Sequence, residues 1–293
     1  MTPSADDALA VTRALAHELG VPAEPVVVAD RSNLVLRLDA PEAPLVARVA
    51  MATSLVRIGM PWLRREVEIA RFLAERDAAV TRPAERIDPG PYERGGFVIS
   101  FWRAERLVAE LADPASIGAT LAALHQELAG YPEERLPLWG GFEEARQVFE
   151  RAKRGGSLAR DELRKLEQGF ERAERILESA RARSASFQAV HGDAHIKNAL
   201  ASERGTLWTD WEDAFVGPVE WDIASLRSRA ELFGEDRELI EAACAAYSGA
   251  WDRALASELG LVRNVQVIPW LAAFAERQPE LLPRMRSRIE RLP

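Results

Sequence analysis

Residues 191–200 read HGDAHIKNAL and concentrate side chains that could do chemistry. Two of the four histidines of the chain lie in this stretch, together with Asp193, Lys197 and Asn198. Carboxylate and amide oxygens are hard ligands that suit Mg²⁺, and a further carboxylate can accept a proton from an attacking hydroxyl. The stretch therefore indicates a site that handles a phosphate group and a divalent cation.

Two short apolar segments flank this stretch, FQAV at 187–190 and TLWTDW at 206–211. Both are predicted to be short strands. If they pair, Asp193, Asn198 and Asp210 converge at one end of a hairpin-like unit. Together these three residues would provide hard oxygen ligands for Mg²⁺ and a spare carboxylate, which is the division of labour of phosphoryl transfer.

Three segments resemble known enzymes. HGDAHIKN is similar to the H-G-D-x-x-x-x-N catalytic loop of the aminoglycoside phosphotransferase and choline kinase-like families. DWED at 210–213 resembles the counterpart, in these families, of the D-F-G segment of protein kinases, and GPVEWDIA at 217–224 is similar to the stretch that commonly follows it. The order of predicted elements along the whole chain also agrees with these families.

The resemblance implies a role for each matching residue. Asp193 would be the catalytic base or hydroxyl-orienting carboxylate, and Asn198 and Asp210 would bind Mg²⁺. His191 would be structural and His195 would support the loop. The implied function is that of a small-molecule kinase, which uses ATP and Mg²⁺ to move the γ-phosphate to a hydroxyl of an aminoglycoside-like antibiotic, an amino sugar or an amino alcohol.

The elements around these motifs predict an α+β, two-lobed protein kinase-like fold. A small antiparallel-sheet lobe is expected at 1–102 and a larger, mostly helical lobe at 103–293. The predicted elements of the first lobe are helices at 4–19 and from Pro61, three strands at 26–28, 34–38 and 45–49, and a strand pair at 83–88 and 95–102. In the second lobe, helices are predicted at 114–129, 142–154, 159–182, 222–233, 236–257 and 266–277.

The resemblance also implies that the first lobe holds ATP. Protein kinases grip the phosphates with a lysine on the third strand, which pairs with a glutamate on the next helix. This chain has no lysine in its first half, and Arg48 and Glu66 stand at the corresponding places. Arginine is a reasonable substitute because its planar fork binds phosphate and carboxylate at two points.

Other nucleotide contacts are expected, although no motif in the sequence marks them. The glycine-rich phosphate loop of protein kinases is absent, so Ser32, Asn33 and nearby backbone N–H groups would approach the phosphates instead. Ser100 and Phe101 lie near the expected hinge, where their backbone groups would contact adenine.

Two alternatives remain open at this point. A metal-dependent hydrolase could use His191, Asp193, His195 and Asp210 to bind zinc or iron. An ATP-binding protein without transfer activity is suggested by the missing lysine.

The acceptor is open as well. Convergent carboxylates would suit a cationic acceptor, and the candidates, which a solvated acidic patch explains equally well, are Glu231, Glu235, Asp236 and Glu241.

Composition excludes several classes of partner. The 293-residue chain has a formal net charge of −8 and a pI near 5.3, which does not suit nucleic-acid binding. No apolar run approaches membrane-spanning length, so no membrane partner is expected. The single Cys244 fits the reducing cytoplasm. A small-molecule hydroxyl acceptor and a monomer or homodimer are expected.

Overall fold

The computed structural model describes residues 4–30, 33–40, 43–50, 59–155, 158–184, 186–275 and 278–292. The strands are β1 (Pro25–Asp30), β2 (Asn33–Leu38), β3 (Leu45–Ala50), β4 (Tyr92–Arg94), β5 (Phe97–Arg103), β6 (Phe187–Val190), β7 (Ala199–Ser202), β8 (Gly205–Trp208) and β9 (Phe215–Pro218). The helices are α1 (Ala5–Glu18), α2 (Met60–Ala74), α3 (Pro114–Leu128), α4 (Gly140–Gly155), α5 (Arg160–Arg183), α6 (Glu220–Phe233), α7 (Arg237–Ala246), α8 (Arg253–Ala275) and α9 (Leu282–Glu290).

The protein is α+β, with a five-stranded antiparallel sheet in its N-terminal lobe and a helical C-terminal lobe, as the sequence predicts. Contacts between residues divide the chain into two compact units. Unit 1 is Met1–Leu111 with Ala199–Glu212, and unit 2 is Ala112–Asn198 with Asp213–Pro293. The domain boundary near residue 102 stays a prediction, and the return of 199–212 to unit 1 was not anticipated.

Unit 1 is built on the sheet β1-β2-β3-β5-β4. Leu34, Leu36 and Leu38 alternate along β2 and are fully buried on one side of the sheet. A period of two is what a strand with one buried face requires. The strands predicted at 26–28, 34–38 and 45–49 are therefore confirmed, as are the helices predicted at 4–19 and from Pro61.

Residues 83–88 do not form the predicted strand, and only Pro83 among them makes an antiparallel bridge, with Trp102 of β5. The partner of β5 is instead β4, and Tyr92 pairs with Ile99. Gly95 and Gly96 between them both have positive φ, 57° and 82°, which is the conformation of the tightest hairpin turns. This local turn brings residues 92–94 alongside β5.

Unit 2 packs its helices around an apolar core to which α4, α5, α6, α8 and α9 all contribute. The helices predicted at 114–129, 142–154, 159–182 and 222–233 are confirmed within two residues at each end. None of the described helices combines the length and the apolar character needed to cross a bilayer.

The helices predicted at 236–257 and 266–277 have the wrong boundaries, because the break between the two helices lies earlier in the chain. Helix α7 ends at Ala246, and α8 runs without interruption from Arg253 to Ala275. Asp252 begins the new helix, because its carboxylate accepts hydrogen bonds from the backbone N–H groups of Ala254 (2.7 Å) and Leu255 (3.1 Å). Helix α9 was not predicted.

The pairing of 187–190 with 206–211, considered from the sequence as a condition, does not form. Strand β6 pairs with β9, from Phe187 opposite Pro218 to Val190 opposite Phe215. Strand β8 pairs with β7, and Gly205 with φ of 93° closes the tight turn between them. Strand β8, which was considered as the partner of β6, therefore belongs to a local hairpin with β7.

Candidate active site

The segment 191–198 leaves the end of β6 through a glycine that the backbone requires. Gly192 has φ of 85°, and a Cβ there would lie 2.1 Å from the carbonyl oxygen of Asp213. Both the left-handed conformation and this close approach exclude a side chain. The backbone conformation of Gly192 therefore fixes the turn that positions Asp193.

The carboxylate of Asp222, near the start of α6, holds this turn. It is fully buried and accepts hydrogen bonds from the backbone N–H groups of His191 (2.7 Å) and Gly192 (2.9 Å). It also lies 2.9 Å from Nε2 of His125. Burial raises the pKa of Asp222, but the bonds and charges of His125 and His191 outweigh it and leave the pKa below its ordinary value. Asp222 thus braces the loop.

His125 was not recognised from the sequence as part of this site. It lies on α3 and is 4% exposed, and its Nδ1 is 2.8 Å from the hydroxyl of Tyr247. A histidine on an apolar helix face gives no local sign of a partner 97 residues away. Only the packing of α3 shows that it extends the support of the loop.

The side chain of Asp193 is 29% exposed, so it can be reached from solvent. One carboxylate oxygen accepts a hydrogen bond from Nη2 of Arg263, and the other lies 3.6 Å from Nε2 of His195. Burial raises the pKa of Asp193, but the charges of Arg263, His195 and His191 outweigh it and lower the pKa to about 2. The group is ionised at neutral pH.

Arg263 is the residue that sequence reasoning missed. It lies on α8, is 9% exposed, and also donates to the carbonyl oxygen of Gly192 at 3.2 Å. A lone arginine in the apolar segment LGLVRNVQV at 259–267 was the available signal, because a buried charge needs a partner.

Asn198 and Asp210, the two predicted metal ligands, belong to different units. Asn198 is 6% exposed, and its amide nitrogen donates to the carbonyl oxygen of Asp193 at 3.1 Å. That bond leaves the amide oxygen as the group able to bind a cation. Asp210 has φ of 70°, which is unusual for a residue other than glycine. Each residue offers the hard oxygen that Mg²⁺ and Ca²⁺ prefer.

In unit 1, the predicted pair of Arg48 and Glu66 is present and buried. Arg48 donates to Glu66, to Asp210 at 2.6 Å and to Glu212 at 3.1 Å. Burial raises the pKa of Glu66, and the charges of Asp210 and Glu212 raise it further against the opposing effect of Arg48. One arginine therefore contacts three carboxylates.

The other predicted nucleotide contacts differ in outcome. Asn33 lies against Arg48, and its amide oxygen, turned toward the guanidinium, accepts from Nε at 3.0 Å and Nη2 at 2.6 Å. Ser32 lies outside the described residues. Ser100 is fully buried, and its hydroxyl accepts from Nε1 of Trp102 at 2.9 Å.

Phe101 does not have the free backbone groups that the adenine contact requires. Its N–H donates to the carbonyl of Pro89 at 2.9 Å, and its carbonyl accepts from Ala84 at 3.0 Å. Its ring is fully buried in the core of unit 1, in edge contact with Tyr92. Both observations make Phe101 a core residue of the sheet.

The hydrolase alternative loses its geometric basis. Within the described ranges, no three histidine, cysteine, aspartate or glutamate side chains are grouped so that they could hold a metal ion. His191 is fully buried beneath the loop, which is the structural place expected for it.

Comparisons with known proteins agree with this geometry. The family model described as "Phosphotransferase enzyme family" matches residues 24–257. No curated protein sequence matches the chain closely enough to count as a relative.

Among solved structures, an amicoumacin kinase in complex with AMP-PNP, Ca²⁺ and Ami is similar, with 16% identity and a TM-score of 0.67, and the match covers 92% of this chain and 89% of that one. An AMP-bound spectinomycin phosphotransferase has 12% identity and a TM-score of 0.66, with 95% and 96% covered. A choline/ethanolamine kinase family protein from Mesorhizobium loti has 15% identity and a TM-score of 0.64, with 98% and 92% covered. At these identities the likeness shows a common fold. The family match extends over most of the chain and includes the loop at 191–198, so this chain belongs to the phosphotransferase enzyme family.

Proposed function

We propose that the protein transfers the γ-phosphate of ATP to a hydroxyl group of a small molecule, with Asp193 as the residue that receives that hydroxyl. The observation that carries the proposal is the state of Asp193. It is ionised, partly exposed and held on a loop that three buried contacts of Asp222 brace. A carboxylate in this state can orient an alcohol and accept its proton.

The low pKa of Asp193 fits phosphoryl transfer. Burial opposes ionisation, but Arg263 and the nearby histidines lower the pKa to about 2, so Asp193 is a weak base. In a loose transition state the hydroxyl proton leaves late, so positioning matters more than basicity. Asp193 therefore acts first by aligning the hydroxyl oxygen.

The nucleotide side of the proposal lies in unit 1. Arg48, Glu66 and Asn33 form one buried polar group there, and a phosphate oxygen would reach the guanidinium of Arg48 in place of Asp210 or Glu212. Nucleotides are bound in similar structures, as AMP-PNP in the amicoumacin kinase and AMP in the spectinomycin phosphotransferase. ATP as donor is consistent with both observations.

Mg²⁺ is the proposed metal cofactor, with Asn198 and Asp210 each contributing an oxygen ligand. A bound Mg²⁺ supplies charge neutralisation for the phosphate oxygens. Asn198 is oriented for this role because Asp193 already takes its amide nitrogen. The carboxylate of Asp210 also accepts a hydrogen bond from Arg48, so this proposed metal ligand is in direct contact with the arginine.

The test is an assay of ADP release in the presence of ATP and Mg²⁺, over a panel of aminoglycosides, amino sugars, amino alcohols and hydroxy acids. At least one acceptor is expected to stimulate ADP release. Asp193→Asn is expected to lower that rate about 10²–10⁴-fold, with ATP binding, measured by calorimetry, retained. The matched control is Asp161→Asn, because this aspartate lies on α5 with its side chain 83% exposed.

Two results would contradict the proposal. Unchanged transfer in Asp193→Asn would remove this residue from the reaction. Tight ATP binding without stimulation by any acceptor would favour the second candidate, a nucleotide-binding protein that does not transfer phosphate.

A further inference from the structure

Three arginines of unit 2 surround one phenyl ring. The guanidinium carbons of Arg229, Arg284 and Arg288 lie 3.8, 4.4 and 4.7 Å from the ring centroid of Phe233. Phe233 ends α6, and Arg284 and Arg288 are one turn apart on α9. Like charges on neighbouring side chains repel, so this arrangement needs compensation.

Only part of this charge is neutralised by the protein. Arg229 pairs with Glu235 through Nε at 3.0 Å and Nη2 at 2.5 Å. Arg263, whose charge also acts on Arg288, is neutralised by the carboxylate of the catalytic loop. Within the described part of the chain, no carboxylate lies within 4.0 Å of the guanidinium nitrogens of Arg284 or Arg288.

Of these two arginines, Arg288 is the more unusual, because it is buried whereas Arg284 is exposed. It is 2% exposed, and its Nε has no hydrogen-bond partner among the described residues. Its other contacts are long and neutral, to Oδ1 of Asn264 at 3.3 Å and to the carbonyl of Leu232 at 3.5 Å. Burial, followed by the charges of Arg284 and Arg263, lowers the pKa of Arg288 to about 9. A buried cation without a counter-ion costs stability, which a bound anion would restore.

Three of the four carboxylates named for a cationic acceptor have partners within the protein. Glu235 is paired with Arg229, and Asp236 caps α7 by accepting from the backbone N–H of Glu238 at 2.8 Å. Glu241 lies 4.0 Å from Arg237 on the same helix. Around Phe233, the three guanidinium groups therefore outnumber the one carboxylate that pairs with them.

We propose that the acceptor is an alcohol that also carries an anionic group, a carboxylate or a phosphate, which Arg284 and Arg288 bind. This inference rests on the proposed phosphotransfer and specifies its substrate class. Arg263 connects the two parts of the site, because it contacts Asp193, and the next residue of α8, Asn264, contacts Arg288 at 3.3 Å.

The transfer balances without any further reactant. The acceptor oxygen forms a bond to the γ-phosphorus, and the bond from that phosphorus to the β–γ bridging oxygen breaks, so that ADP leaves. The hydroxyl proton passes to the carboxylate of Asp193 and then to water. The anionic group of the acceptor is unchanged.

The binding test uses three compounds with the same three-carbon skeleton: D-glycerate, glycerol 3-phosphate and glycerol. Calorimetry on the full-length protein is expected to show saturable millimolar binding of at least one of the two anions and no binding of glycerol. Binding of glycerate alone would identify a carboxylate site, and binding of glycerol 3-phosphate alone a phosphate site. Absence of binding by both anions overturns the inference.

Variants then test where the anion binds. Arg284→Gln and Arg288→Gln should each weaken anion binding about tenfold, the loss expected for one charged hydrogen bond. Arg172→Gln, on the exposed side of α5, is the control and should bind as the wild type does. Arg284 is exposed, so its variant carries the test if the buried Arg288 variant does not fold. Equal binding in Arg284→Gln and wild type contradicts the assignment.

An activity arm separates this inference from the proposed function. ADP release is measured with the two anions and with 3-amino-1-propanol, a cationic alcohol. Transfer to the cationic alcohol without anion binding would leave the kinase in place and overturn the anionic acceptor. Anion binding that Arg284→Gln weakens, without transfer to any acceptor of the wider panel, would support the anion site and overturn the kinase.

Discussion

At the scale of single residues, the loop at 191–198 depends on one carboxylate, Asp222, that is not expected to touch substrate. Asp222 accepts from two successive backbone N–H groups and from His125, and all of these groups are buried. A carboxylate can accept several bonds at once, whereas an amide has one acceptor oxygen and introduces two donors. The position therefore requires an ionised side chain.

We accordingly expect Asp222→Asn to destabilise the protein by about 3 kcal/mol, the range for breaking a buried charged pair. Transfer activity should fall as well, because the backbone of His191 and Gly192 loses its support. Urea unfolding measures the stability, and Asp161→Asn on the surface of α5 serves as the control. Equal unfolding midpoints for the two variants would show that the Asp222 contacts contribute little.

At the scale of elements, α3 and α7 cross at a glycine. A Cβ on Gly118 would lie 1.9 Å from the carbonyl oxygen of Ala243, so the two helices can approach this closely only without a side chain. Helix α3 carries His125, and Tyr247 follows α7, so the same crossing brings together the hydrogen bond that supports Asp222. The helix contact thus bears on the site as well as on the core.

Gly118→Ala should lower stability by about 1–3 kcal/mol through overpacking, although alanine is the better helix former. Gly260→Ala in α8 is the matched control, because a Cβ there meets nothing within 4 Å. It should be neutral or stabilise the protein by up to about 1 kcal/mol. Unfolding in urea distinguishes the two, and a stabilised Gly118 variant would contradict the close crossing.

At the scale of the whole molecule, ionised carboxylates make stability depend on acid pH. The pKa of Asp193 is about 2 in the folded protein, and that of Asp222 is also below its ordinary value. An unfolded aspartate has a pKa of about 3.9, so the unfolded chain binds these protons first. The stabilising contribution is present above about pH 4 and is lost as the pH falls toward 2.

Calorimetric unfolding between pH 6 and pH 2 should therefore show stability falling below about pH 4. Asp193→Asn removes one of the groups responsible, and its stability should fall less steeply by a contribution on the order of 2 kcal/mol. Identical pH dependence in the variant and the wild type would mean that Arg263 does not lower the pKa of Asp193.

Local patterns determined much of the architecture. The strands at 26–28, 34–38 and 45–49 are apolar runs rich in valine and leucine that turn-forming segments separate, and the helix from Pro61 has a proline in its first turn. The segment HGDAHIKN indicated the family because its residue types and spacing resemble a motif of that family. These features depend on neighbours in the sequence, so the sequence alone indicates them.

Only the tertiary structure decided which distant groups meet. The pairing of β6 with β9 depends on the local β7–β8 hairpin, and no alternation pattern distinguishes the two partners. His125 and Arg263 are polar residues in largely apolar helices, and Arg288 is one of three arginines in α9, but none of these sequences shows the partner. Their roles follow from packing between elements far apart in the chain. Packing decides which of these polar side chains are buried and which partner, if any, each one meets.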